Sequence, residues 1–276
     1  MSHNNQKKIA VINDLSGFGR CSIAVALPLI SHLGIQCCPL PTAIFSNHTG
    51  FPSFHRDDYT DSMGAYMAQW KKLDLQFEGI LTGFLGSARQ ISLVEQFIRD
   101  FATDRTTVII DPVMGDYGRP YPTYTPEMCQ GMKSLVGWAD ILTPNLTEAC
   151  ILTDTPYQEH FSEKELLNMA RRLCEQGPKK VVLTGVPRGE FLENYCYETD
   201  LGPSIHRTRR VAPQRSGTGD VFSSIVAAGV VRGVPFSQAV KTAANFIKLC
   251  LKRSAELDIP TTDGVCFEEV IGKLRF

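Results

Sequence analysis

The sharpest chemical signal in the sequence is Arg215-Ser216-Gly217-Thr218-Gly219-Asp220-Val221-Phe222, set immediately before an apolar stretch of helical period. Glycine lacks Cβ, so successive backbone N–H groups can converge there. A helix N-terminus adds partial positive charge, and Gly217, Thr218 and Gly219 together can cradle an anion. Asp220 then has two readings. It can stabilise the first helical turn against the helix dipole, or it can act as a general base beside a bound phosphoryl group, taking a hydroxyl proton as the new P–O bond forms. Competing signatures fail. No G-x-x-x-x-G-K-[ST], G-x-S-x-G or H-E-x-x-H occurs. Gly17-Phe18-Gly19-Arg20-Cys21-Ser22 carries Ser where a dinucleotide fingerprint has its third glycine, and Pro39-Leu40-Pro41-Thr42 lacks the acidic ribose partner.

An anion cradle of this kind needs a scaffold that brings other polar groups to it. Short apolar runs ending in Asp, Gly or Pro alternate with longer helical patterns, the grammar of parallel βαβ units. Strands are predicted over 8–13, 35–42, 79–82, 107–110, 141–142 and 181–183, and helices up to Leu33 and over 60–72, 88–101, 219–232 and 236–253. The runs 191–198 and 204–211 alternate with no helix between them, which predicts an antiparallel hairpin at one end of the sheet. No internal repeat or low-complexity linker interrupts the chain, so a single α/β domain over 1–276 is expected. Ligands bind such sheets at the carboxyl ends of the strands. The segments expected there are polar and glycine-rich: 13–17, 42–50, 82–86, 111–116, 143–148 and Thr184-Gly185.

Composition removes several functional classes. The 276 residues carry 28 Lys+Arg against 29 Asp+Glu, a formal net charge of -1, and no basic run is longer than pairs such as Arg209-Arg210. A polybasic nucleic-acid or membrane-surface protein is therefore not expected. The N-terminal residues are polar and lead into an apolar strand without a signal-peptide core, and no run approaches 18 apolar residues. Nine scattered cysteines without a Cys-x-x-Cys pair argue against a disulfide framework or structural zinc and suit a reducing cytoplasm.

Gly217-Thr218-Gly219-Asp220, Asn145-Leu146-Thr147-Glu148 and the order of elements resemble the ribokinase-like superfamily of small-molecule kinases. Phe45-Ser46-Asn47-His48-Thr49-Gly50, Asp111-Pro112-Val113-Met114-Gly115-Asp116 and Thr143-Pro144-Asn145 are similar to its pyridoxal kinase branch, in register from about Ile9 to Arg253. The resemblance implies a three-layer α/β/α fold and ATP-dependent phosphorylation of the 5′-hydroxymethyl group of a B6 vitamer, with Asp220 as base and the amides of Gly217, Thr218 and Gly219 as anion hole. It further implies Asp111 and Asp116 facing Mg-ATP, with Asp111 and Glu148 serving the metal. Asn145 and Thr184 would touch the triphosphate, and Tyr124 would lie along the nucleotide. Ser16 and Thr49 match ring-contacting positions and Phe84 a ring-stacking one. A homodimer and K⁺ activation are also family expectations.

Two departures bear on substrate. Phe84 stands where the better-known pyridoxal kinases usually carry Tyr, which keeps the π-face and removes a hydroxyl. Asp14-Leu15-Ser16-Gly17-Phe18-Gly19 is instead similar to the Asp-Ser-Ser-Gly-Gly pattern of hydroxymethylpyrimidine kinases, although those tend to have Cys where Asp220 stands and a Gln-Asn-Thr loop where Ser46-Asn47-His48-Thr49 stands. Pyridoxal or pyridoxamine kinase is the favoured reading. A hydroxymethylpyrimidine kinase, or a catalytically silent B6- or nucleotide-binding protein on the same fold, is the alternative.

Overall fold

The computed structural model describes residues 2–121 and 123–276. In chain order the elements are β1 (Lys8–Ser16), α1 (Ser22–His32), β2 (Gln36–Phe45), β3 (Arg56–Asp58), α2 (Thr60–Lys72), β4 (Gly79–Thr82), α3 (Ala88–Phe101) and β5 (Thr107–Ile110). There follow β6 (Gly115–Asp116), β7 (Arg119–Pro120), α4 (Pro126–Val136), β8 (Ile141–Leu142), α5 (Leu146–Leu152), α6 (Glu163–Cys174), β9 (Lys180–Arg188), β10 (Phe191–Glu198), β11 (Gly202–Arg209), α7 (Thr218–Arg232) and α8 (Phe236–Glu256). Nine strands form one sheet in the order β11-β10-β9-β8-β5-β4-β1-β2-β3. Its centre, β2-β1-β4-β5-β8-β9, is parallel. The predicted 191–198 and 204–211 hairpin closes one end as β10 and β11, and β3 runs antiparallel to β2 at the other.

Alternation along the central strand explains the three layers. Ile9 and Val11 face a core built with α1, α7 and α8, whereas Ala10 and Ile12 face the opposite core under α2 to α6. All four are fully buried, as a strand covered on both faces requires. This is the α/β/α architecture expected from sequence.

Several elements differ from the expectation. β1 and β2 continue to Ser16 and Phe45, because pairing resumes after a register break between Asn13 and Leu15. Helices α4, α5 and α6 went unpredicted although each carries a readable start: Thr125 accepting from the Met128 N–H, and capping boxes Asn145/Glu148 and Ser162/Glu165. Among the described residues all nine cysteines are unpaired, and no helix is long and apolar enough to cross a membrane.

The layer under α2 and α3 is held by an aromatic cluster. Phe97 is fully buried, stacked on Phe101 at 4.5 Å and flanked by Phe77 at 5.9 Å and Trp70 at 6.0 Å. Phe97→Ala should cost about 3–5 kcal/mol in urea unfolding, because a cavity remains among rings that cannot close over it. A loss below about 1 kcal/mol would show that the neighbouring rings repack to fill the space.

Candidate active site

The chain leaves β1 for β2 on one side and reaches β4 on the other, so the crevice between the carboxyl ends of β1 and β4 is a topological switch point. Asn13, at the end of the regular β1 ladder, occupies it and is buried. Its Oδ1 accepts from the backbone N–H groups of Asp14 at 2.9 Å and Phe84 at 2.8 Å, and its Nδ2 donates to Asp220 Oδ1 at 3.1 Å. One side chain thus joins the first strand, the Phe84 loop and the first turn of α7.

Gly217 caps α7 in the left-handed conformation, φ +80°. A Cβ there would overlap the Arg20 carbonyl, so the position demands glycine and seats α7 against the segment leading into α1. The first-turn N–H groups of Thr218, Gly219 and Asp220 have no carbonyl behind them within the helix, the condition under which a helix N-terminus can receive an anion. Burial pushes the Asp220 carboxyl up to about 6; Asp14 acts in the same direction, and the Ser22 N–H and Asn13 amide pull it partly back.

Asp111, buried just beyond β5, faces this cradle: a Cβ added at Gly219 would sit 4.0 Å from its Oδ2. Burial, then the nearby Asp220 carboxylate, raises it to about 7, against the hydroxyls of Ser223 and Thr143. Glu148 is buried on α5, and both its oxygens are engaged, Oε1 accepting from the Met114 N–H at 3.2 Å and Oε2 from the Asn145 N–H at 2.8 Å. Its carboxyl is held well above the usual range by burial and then by Asp111. Asp116 is also raised by burial. No cation contributes to holding any of these four carboxylates among the described residues.

On the β8–β9 side, Asn145 Nδ2 donates to the Gly115 carbonyl at 2.8 Å, and Thr184 pairs with Asn145, its N–H donating to the Pro144 carbonyl at 2.9 Å. The β6–β7 hairpin rises here, and the Tyr117 hydroxyl reaches Gln214 Oε1 at 3.4 Å. Tyr124 is 6% exposed and packs in the core under α2 to α6, just before α4, with Glu148 and Asp111 near its hydroxyl. The ring that faces the crevice is Tyr121, 39% exposed, whose hydroxyl is held neutral by burial and by Glu148, Asp116, Asp111 and Asp220 in turn. A tyrosine directly after the Arg119-Pro120 hairpin strand was the available signal.

On the β2 side, Ser16 and Ser22 both donate to the buried Asp14 carboxylate, at 3.0 and 2.6 Å. Phe84 is half-buried, edge-on to Phe45 at 5.9 Å, with its carbonyl accepting from Thr42 Oγ1 at 2.9 Å. Thr49 is exposed on the loop 46–55, which is anchored by its neighbour His48 through a 2.6 Å contact to the Thr262 carbonyl. The structure therefore gathers Asn13, Ser16, Phe84, Asp111, Asp116, Asn145, Glu148, Thr184 and the 217–220 cradle along one sheet edge, with Thr49 on its outer lip.

A Bacteroides thetaiotaomicron structure, described as a candidate phosphomethylpyrimidine kinase, is 38% identical, covers 99% of this chain and 96% of its own, and superposes with a TM-score of 0.97. The same protein in an orthorhombic form with pyridoxal gives 38% identity, 98% and 96% coverage and a TM-score of 0.95. The pyridoxine/pyridoxal/pyridoxamine kinase of Bordetella avium is 29% identical over 89% of this chain and 86% of its own length, and the hydroxymethylpyrimidine/phosphomethylpyrimidine kinase of Haemophilus influenzae is 31% identical over 64% and 65%. The family model for phosphomethylpyrimidine kinase matches residues 29–263, which takes in the Phe84 loop, every carboxylate of the crevice but Asp14, and the whole cradle, so the chain belongs to the phosphomethylpyrimidine kinase family.

Proposed function

We propose that this protein transfers the γ-phosphoryl group of ATP to the 5′-hydroxymethyl group of a B6 vitamer, pyridoxal, pyridoxamine or pyridoxine, as one kinase unit over 1–276. The observation that carries this reading is the meeting of three things at the β1–β4 crevice: a carboxylate with a raised pKa, an anion cradle and an aromatic ring on the Phe84 loop. The relative crystallised with pyridoxal supports the substrate class.

In this reading the vitamer lies on the β2 side, its ring by Phe84 and within reach of Ser16 and Thr49. Asp220 accepts the hydroxyl proton as the hydroxymethyl oxygen attacks the γ-phosphorus and the bond to the β–γ bridging oxygen breaks, releasing ADP. The amides of Gly217, Thr218 and Gly219 meet the charge on the transferred group without having to reorganise. Asn145 and Thr184 hold the triphosphate, and Asp116 borders it. Tyr121 borders the nucleotide beside the more deeply buried Tyr124.

The donor set fits a hydrated Mg²⁺. Among the described residues no three His, Cys, Asp or Glu side chains cluster into a protein-only metal site. Asp111 is nevertheless buried beside the cradle, 4.0 Å from where a Gly219 Cβ would sit and with no cation beside it among the described residues, and Mg²⁺ commonly binds through one or two carboxylates plus phosphate oxygens and water. Asp111 would hold it directly and Glu148, already bonded to two backbone N–H groups, through water. Bound there, the ion would neutralise charge on the phosphates.

Hydroxymethylpyrimidine is the second reading, favoured by the family description and the Haemophilus influenzae relative. Product formation from Mg-ATP with pyridoxal, pyridoxamine, pyridoxine and hydroxymethylpyrimidine decides between them: a higher kcat/KM on any vitamer is expected, and turnover of the pyrimidine alone would overturn the proposal. Asp220→Asn should lower kcat by about 10²–10⁴ with both KM values little changed, because Asn keeps the shape and cannot take the proton. Near wild-type turnover would reduce Asp220 to a helix-terminal carboxylate. Since the base must be ionised, kcat/KM should fall as pH drops through about 6. An acid limb near 4, the ordinary carboxylate value, would mean that the group taking the proton is solvated.

A further inference from the structure

We propose that Asn13 is a positioning residue for phosphoryl transfer: its amide fixes one oxygen of Asp220 and ties that carboxylate to the Phe84 loop, leaving the other oxygen to face the substrate hydroxyl. The inference rests on the reading of Asp220 as base.

The orientation of the amide follows from its partners. Two backbone N–H groups, from Asp14 and Phe84, converge on one end of it, and only an oxygen can accept from both. The –NH₂ end must then turn to Asp220 Oδ1, 3.1 Å away. Flipping the amide would set N–H against N–H twice and oxygen against carboxylate once. The space is also exclusive, because a Cβ at Gly83 would overlap the Asn13 amide. The register break that follows Asn13 in β1 is a common device for aiming a side chain at an active site.

The surroundings of Asp220 give this contact its importance. The titratable groups facing it are Asp14, at the end of β1, Cys21, preceding α1, Asp111, after β5, and Tyr121, after β7. None is a cation. Among the described residues Asn13 donates the one side-chain hydrogen bond that Asp220 receives. The other hydrogen bonds to this carboxylate come from the backbone N–H groups of Ser22 and Asp220, so Asn13 is the side chain that ties it to β1 and the Phe84 loop.

Asn13→Asp tests this in the purified protein. The variant keeps an acceptor for both backbone N–H groups, so the Phe84 loop stays in place, and it sets a second carboxylate oxygen against Asp220. The expected result is a kcat lowered about ten- to a hundredfold, with KM for pyridoxal and for Mg-ATP changed less than about threefold. Gly83→Ala, which displaces the amide without removing it, should lower kcat in the same way and serves if Asn13→Asp fails to fold. Wild-type kcat in either variant overturns the proposal. The reciprocal double variant, Asn13→Asp with Asp220→Asn, restores a donor–acceptor pair with the roles exchanged. Its unfolding midpoint should recover what Asn13→Asp alone loses, while activity stays lost. Stability losses that simply add would overturn the contact itself. Coupled stabilities together with an active Asp220→Asn single variant would overturn instead the assignment of Asp220 as base, and with it the positioning role.

Discussion

Four carboxylates, Asp111, Asp116, Glu148 and Asp220, share one crevice at the edge of the sheet, and among the described residues no lysine or arginine neutralises them. Gathering like charges away from water is costly unless protons, hydrogen bonds or a cation compensate. The protein supplies the first two. Burial and mutual repulsion raise the carboxyls, and backbone N–H groups and the Asn13 amide meet their oxygens. In the proposed function the remaining compensation would come from a ligand that brings a divalent cation and phosphates together, which would make the α7 cradle and the carboxylates one site rather than two.

The topology makes that arrangement possible. Because the chain passes from β1 to β2 and returns to β4 on the other side, the crevice opens between β1 and β4, where the loops leaving the two strands part in opposite directions. The β2 side contributes aromatic and hydroxyl groups, Phe45, Phe84, Ser16 and Thr49, and the β5–β8–β9 side contributes amides, hydroxyls and carboxylates, Asn145, Thr184, Asp111 and Glu148. The division matches a flat aromatic acceptor on one side and a polyanionic donor on the other, with Asp220 at the boundary.

Much of this was legible in the sequence where local chemistry decides the conformation. Gly217-Thr218-Gly219-Asp220 is readable because a left-handed glycine cap and a helix start leave a local signature, and Asn145-x-x-Glu148 is readable as a capping box. Strand ends near the rim followed from polar residues interrupting apolar runs. Asn13 was legible only as one rim residue among many, since its partner Asp220 lies 207 positions away and no spacing rule links them. Tyr124 was placed on the nucleotide by resemblance; it sits more deeply buried than Tyr121, which the sequence did not single out. The continuation of β1 and β2 past the register break depends on pairing between strands, which neither segment shows alone.

The central claim is geometric: one oxygen of Asp220 is held by Asn13 and the other is presented to the hydroxyl that becomes phosphorylated. A crystal structure of the protein with pyridoxal, Mg²⁺ and a non-hydrolysable ATP analogue tests it most directly. The account predicts the 5′-hydroxyl oxygen about 2.6–3.2 Å from Asp220 Oδ2, with the Asn13 contact to Oδ1 intact and the γ-phosphate against the amides of 217–219. A hydroxymethyl group turned away from Asp220, or an Asp220 that has left Asn13 to meet it, would contradict it.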